Sequence, residues 1–275
     1  MANNRTQNCL NYHWGCPTAT IDWCERNYDT FSMIAEFFNT VSNLPYIVFG
    51  LLGIYNIFHY QLKKRFTISY IAVCFVGLGS LLFHLTLNHT MQMLDEIPMI
   101  YAASIFLYHN LQLISDFKKS RLACYALSLL CVLFTYFHMV FNLPIIQHIV
   151  YALLVLYVFY SRFVVIKSTE NVEKKEFLML LFKRSMALFL TGFLFWNVDN
   201  LMCDHLISFR DLLRQNGLQQ FTFLFQFHAI WHILTCLGTF HEICAAFISS
   251  DETNENIVYY CCFVPLMGPQ VPQRL

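Results

Sequence analysis

Two short stretches of an otherwise apolar chain carry groups that could do chemistry. In QFHAIWH, His228 and His232 stand four residues apart, a spacing that puts both imidazoles on one helix face, where they can share a metal. In SLLFHLTLNHTMQMLDE, Ser80 and His84 are again four apart, and Asp95 follows as the next apolar run begins. Such groups cost free energy in lipid unless they are partnered. Three neutral imidazoles with a fourth position left open would make a catalytic zinc site, where a water becomes acidic near pH ~7 and a carbonyl is polarised. A nearby carboxylate can move the proton and a hydroxyl can donate to a developing oxyanion, and Asp95 and Ser80 are available for those tasks. Spacing alone leaves a second reading open. In a chain with 11 histidines, these side chains could equally be interhelical packing and hydrogen-bond partners, the role expected of His109, His138 and His148.

The elements that must position these groups follow from composition. Hydrophobic residues make up 57% of the 275 positions and charged residues 12%, with 28 Phe and 15 Tyr. A soluble domain of this size cannot hide so much apolar surface, so the solvent is a bilayer. The net charge of zero argues against nucleic acid as a partner. The first 33 residues are polar and lack the apolar core of a cleavable signal. Seven apolar stretches, each able to span about 30 Å as a helix, run over 34–58, 68–87, 97–114, 122–141, 145–165, 185–206 and 221–248. The fold class is thus an all-α membrane protein, a seven-transmembrane helix bundle. Its expected divisions are an arm over 1–33, the bundle over 34–248 and a tail over 249–275. With the N-terminus outside or lumenal, 13 Lys and Arg residues fall on the inner side and 4 on the outer, a strong positive-inside signal that leaves the C-terminus cytosolic. The second helix then runs outward and the seventh inward. Ser80, His84, His228 and His232 overlap in depth, and Asp95 starts the third helix on the same side. There is no GxSxG elbow, HExxH or phosphate-binding loop to support other chemistry.

A second polar cluster, IDWCERNYDTFSMIAEFFNT, lies on that side. Asp22, Glu25 and Asn27 offer oxygen ligands within six residues, and Glu36 sits just inside the first helix. So dense a set suits a hard cation such as calcium, or else forms a solvated acidic arm with Glu36 hydrogen-bonded in the bundle. It does not follow the EF-hand pattern.

Four blocks, DWCERNY…AEFFNTVSN, GSLLFHLTL…MQMLDE, FLFWNVDN and QFHAIWHILT, together closely resemble the alkaline ceramidase family, most of all its phytoceramidase-like type. The resemblance covers about Pro17 to Cys244. It implies an intramembrane amidase that splits ceramides, phytoceramide among them, into a sphingoid base and a fatty acid. It implies zinc ligands at His84, His228 and His232, with Ser80 and Asp95 as catalytic serine and aspartate. It implies calcium held by the side chains of Asp22, Glu25, Asn27 and Glu36 and by the carbonyl of Trp23. Arg26 departs from the acidic residue often found at its position. Cys24 and Cys203 match a family disulfide, and pairing of Cys9 with Cys16 stays open. Two sequons begin at Asn4 and Asn88. The family places the protein in the endoplasmic reticulum or Golgi membrane, with membrane ceramide as its partner. The alternative is a seven-helix zinc-containing receptor of the adiponectin and progestin receptor type. The DWCERN arm, Glu36 and the outward N-terminus favour the enzyme, and the lack of an inverted repeat speaks against a transporter.

Overall fold

The computed structural model describes residue 9, residues 12–250, and the backbone of residues 256–261 and 264–269. Asn4 and its sequon lie outside them. Seven helical spans are long and apolar enough to cross a membrane: Phe37–His59, Lys64–Thr86, His89–Ile114, Phe117–Phe141, Pro144–Ser168, Val172–Leu201 and Phe227–Ser250. They make this an integral membrane protein. Large apolar side chains such as Leu122, Tyr125, Leu129 and Val132 stand exposed along one helix face, where lipid rather than water is the neighbour that suits them.

The spans differ in detail from the sequence expectation. The first is two helices, α1 (Phe37–Val41) and α2 (Leu44–His59). Pro45 stands in the first turn of α2; it lacks an N–H and disfavours helical backbone in the residue before it, so the chain restarts there. The second span is α3 (Thr67–Thr86), entered through a one-turn 3-10 segment, Lys64–Phe66. The third, α4 (His89–Ile114), starts eight residues before the expected Ile97. Leu87 closes α3 in the left-handed conformation (φ 50°), and Asn88 accepts from the amide of Thr90 at 2.8 Å. This cap opens α4 at once. Asp95 therefore sits nearly two turns inside the helix, not at its start.

Next come α5 (Phe117–Phe141), α6 (Pro144–Ser168) and α7 (Val172–Leu201). The expected sixth span, 185–206, shifts toward its N-terminus: Asn171 caps α7, and the chain bends at Met202 into a separate amphipathic helix, α8 (Cys203–Gln215). The seventh begins at Phe227 rather than Phe221, because Gln219–Phe225 forms a 3-10 segment. This last helix, α9 (Phe227–Ser250), is the most buried of the seven spans and packs most extensively against α7. In the tail, β1 (Asn256–Cys261) and β2 (Val264–Pro269) pair antiparallel, with β2 against α2 and α9. Nothing in the hydropathy pattern announced this hairpin.

The arm is stitched to the end of the bundle where α3 finishes. The amides of Thr18 and Ala19 both donate to the carbonyl of Leu87, and those of Ala35 and Glu36 donate to Leu85 and His84. Cys24 is bonded to Cys203 at the start of α8, and Cys9 to Cys16. Arg26 makes a two-pronged ion pair with Asp211 of α8 at 2.6 and 2.5 Å, and Arg214 pairs with Asp29. Arg210 donates to the carbonyl of Cys24 at 2.7 Å. This end is called the arm end below.

Candidate active site

The close approach of α3 and α4 sets the first half of the site. A Cβ on Gly79 would lie 1.9 Å from the carbonyl oxygen of Leu94. That oxygen is the one Pro98, inside α4, cannot hydrogen-bond, since a proline has no N–H for the carbonyl four residues back. The bare glycine and the freed carbonyl let two backbones touch, as small residues do between membrane helices. The next residue along α3, Ser80, thereby faces Asp95 across the contact, and both line the cavity described below. Sequence reasoning missed Gly79, although the GLGS in front of the serine was a signal of close packing. Gly79→Ala should destabilise the protein by about 1–3 kcal/mol or more through overpacking and lower turnover by parting Ser80 from Asp95. Thermal unfolding and activity equal to the parent's would show that the approach has slack.

The second half comes from α9. His84 of α3 and His228 and His232 of α9 are all buried and offer ligand atoms within 4.8 Å of one another. Their ring centroids lie 5.1, 5.0 and 4.6 Å apart. Among the described residues this is the one such group of metal-ligating side chains. The rings are aimed by neighbours, which is how metal ligands are usually fixed. The Nδ1 of His84 bonds Glu36 Oε2 at 2.6 Å, and the Nδ1 of His232 bonds the hydroxyl of Ser42 at 2.7 Å. The break between α1 and α2 is what brings Ser42 there. Trp23 of the arm stacks on His228 at 3.8 Å. His84 Nε2 and His228 Nδ1 are buried with no hydrogen-bond partner. Orphaned imidazole nitrogens that converge in a buried pocket fit a divalent ion and fit little else. The packing reading of these histidines leaves those nitrogens unexplained. His138 bonds Glu96 at 2.5 Å and His109 Nε2 bonds Ser69 at 3.0 Å; among the described residues His109 Nδ1 is also unpartnered, but no second ligand group converges on it.

The acidic arm residues gather around Glu36. Its Oε1 accepts from the amide of Trp23 at 3.1 Å, and its Oε2 from Asn39 at 2.9 Å as well as from His84. Glu25 accepts from the amides of Phe38 and Asn39 at 2.7 and 2.8 Å, so it serves the open N-terminus of α1. Asn27 donates to Asp22 at 3.3 Å, while its own Oδ1 is buried without a partner. Burial, with Glu36 nearby, pushes the Glu25 carboxyl up to about 8. Glu36 is raised well above the carboxylate range by burial and by Asp22. Asp199, at the end of α7, accepts from the amides of Cys24 and His228, tying arm, α7 and α9 together.

Ser80, Asp95 and His232 line one cavity together. Its walls are apolar, with Val73, Met99, Phe106, Tyr151 and Phe159 among them. An amide bond could be presented to the polar groups at one end while hydrocarbon fills the remainder.

The family model described as "Ceramidase" matches residues 15–271. The chain is 38% identical over 235 residues to alkaline ceramidase 3 of Mus musculus, covering 84% of each chain. It is 29% identical over 268 residues to an alkaline ceramidase of Arabidopsis thaliana, covering 94% of this chain and 96% of that one. An alkaline ceramidase of Saccharomyces cerevisiae is 32% identical over 255 residues, 84% of this chain and 76% of its own. A helical membrane protein with a buried three-histidine centre beside an apolar-walled cavity thus falls into a defined class. The chain belongs to the ceramidase family and is a hydrolase.

Proposed function

We propose that this protein is an intramembrane zinc-dependent amidase that hydrolyses ceramides, phytoceramide included, to a sphingoid base and a free fatty acid. The observation that carries the reading is the meeting of His84, His228 and His232 with Ser80 and Asp95 at the polar end of an apolar cavity. Zinc held by the three histidines would acidify a water and polarise the amide carbonyl. Asp95 takes the proton from the attacking water and returns it to the leaving amine. Ser80, beside Asp95 on the cavity wall, turns its hydroxyl to the carbonyl oxygen as that atom becomes negative. The apolar walls keep both hydrocarbon tails out of water throughout. The test is turnover of a ceramide panel by purified protein, with and without a zinc chelator. Chelator-insensitive turnover would remove zinc from the account, and no turnover of any ceramide would remove the substrate.

The arm over 1–33 caps the catalytic bundle over 34–248, and the tail over 249–275 follows on the other side. The arm end faces the lumen of the endoplasmic reticulum or Golgi. The charge asymmetry supports this orientation, and so do two disulfides at that end, which suit an oxidising compartment.

Calcium held by Asp22, Glu25, Asn27, Glu36 and the Trp23 carbonyl tunes the enzyme without entering its chemistry. The support is electrostatic: burial, and after it the nearness of the other carboxylates, raises Glu25 and Glu36, and a cation would offset both the lost solvation and the repulsion. Arg26, engaged with Asp211, leaves the cluster's own charge in place. Stripping calcium with a selective chelator should lower both turnover and melting temperature while zinc content stays constant, and added calcium should restore them. Glu36→Gln should blunt that response. An unchanged calcium dependence in Glu36→Gln would reduce the cluster to an acidic cap on α1.

A further inference from the structure

The cavity beside Ser80, Asp95 and His232 continues away from the arm end, and Glu242 of α9 lines it there. Ten residues separate His232 from Glu242 along α9, or about 15 Å, close to the thickness of one leaflet in a roughly 30 Å hydrocarbon core. Beyond Glu242 the bundle is closed by Phe66, Ile166, Leu178 and Phe247.

Glu242 is out of place in such a cavity. It is 4% exposed, and its Oε1 accepts from Arg162 Nε at 3.0 Å and from Asn110 Nδ2 at 3.3 Å. Arg162 also donates to Ser249 at 3.0 Å, and both Arg162 and Asn110 are fully buried. Yet Glu242 Oε2, Arg162 Nη2 and Asn110 Oδ1 have no partner among the described residues. A buried carboxylate oxygen with no donor needs water, and covering it with hydrocarbon forfeits that solvation. Above this level the cavity welcomes methylenes, and at it they are penalised.

We propose that Glu242, held by Arg162 and Asn110, forms a polar floor that measures one hydrocarbon tail of the lipid substrate. A tail of about one leaflet's length ends above the floor, and a longer one must press methylenes against a carboxylate whose Oε2 has no compensating donor among the described residues. The inference rests on the ceramide-hydrolase reading above and adds a specificity-determining residue to it.

Two ceramide series, one varied in the acyl tail and one in the sphingoid tail over about 12 to 24 carbons, bracket the leaflet length. With purified, metal-loaded protein, kcat/KM in one series should rise to a limiting length and then fall about tenfold within a few methylenes. Removing both charges together, in Glu242→Leu with Arg162→Met, leaves no unpaired buried ion. That variant should move the limit to longer tails, through KM, with short-tail turnover kept. Glu242→Gln retains a polar floor and should keep the parental profile. Thr239, one turn nearer the histidines on the cavity wall, gives an independent variant: Thr239→Leu should shorten the limit even if the double variant does not fold. The proposal is overturned if the parent shows no length limit in either series, or if the limit stays put in the folded double variant, or, where that does not fold, in Thr239→Leu. A parent that hydrolyses no ceramide fails the functional reading instead, a separate and recognisable result.

Discussion

His232→Ala is expected to abolish hydrolysis and to leave the purified protein without zinc. Two imidazoles and solvent hold the ion far less tightly than three imidazoles do, and a catalytic site with three protein ligands has none to spare. The residue lies in the second turn of α9, close to His84, with its other nitrogen engaged by Ser42. Truncation there removes a ligand and a cavity wall together. His228→Ala should behave the same way and should also free Trp23 from its stack. Metal content and turnover measured on one folded preparation check both variants. Normal turnover in a zinc-free His232→Ala protein would sink the metal mechanism outright.

Ser80→Ala and Asp95→Asn should separate binding of the metal from its use. Neither residue belongs to the histidine centre, so both variants should keep full zinc content. Ser80→Ala loses the donor to the developing oxyanion, a change that typically costs about 10²–10³ in rate. Asp95→Asn loses the group that carries the proton, for which about 10²–10⁴ is usual. Because the two side chains serve one step from the same cavity wall, their losses should not add. The double variant should fall little below the worse of the two singles. Unreduced turnover in Ser80→Ala would make the serine a packing residue between α3 and α4.

Much of this was legible before any coordinates. Hydropathy located all seven spans because a helix that faces lipid must be apolar over its whole length, a demand that leaves a long signal. The histidine pair in α9 was legible because i, i+4 spacing on a helix leaves one outcome, a shared face. The helix ends were harder. Pro45 splitting α1 from α2, Asn88 opening α4 early and the bend at Met202 are events of one or two residues, which a hydropathy window averages away. Least legible were contacts whose partners lie far apart in sequence. Arg26 read alone is a basic intruder in an acidic arm, and only the fold reveals Asp211 beneath it, 185 residues on. Glu242 is likewise one carboxylate in an apolar run until Arg162 and Asn110 arrive from α6 and α4.

Glu36 touches two places at once. One of its oxygens takes the amide of Trp23, and the other takes the imidazole of His84. With calcium on the arm and zinc on the histidines, a single carboxylate would stand next to both ions. Free energy shared through it obeys reciprocity: whatever factor calcium lends to zinc affinity, zinc must lend to calcium. The two ions would then form one thermodynamic cycle. A zinc titration at two calcium levels and a calcium titration at two zinc levels should return the same coupling factor. A factor of one would show that Glu36 passes nothing between the two sites.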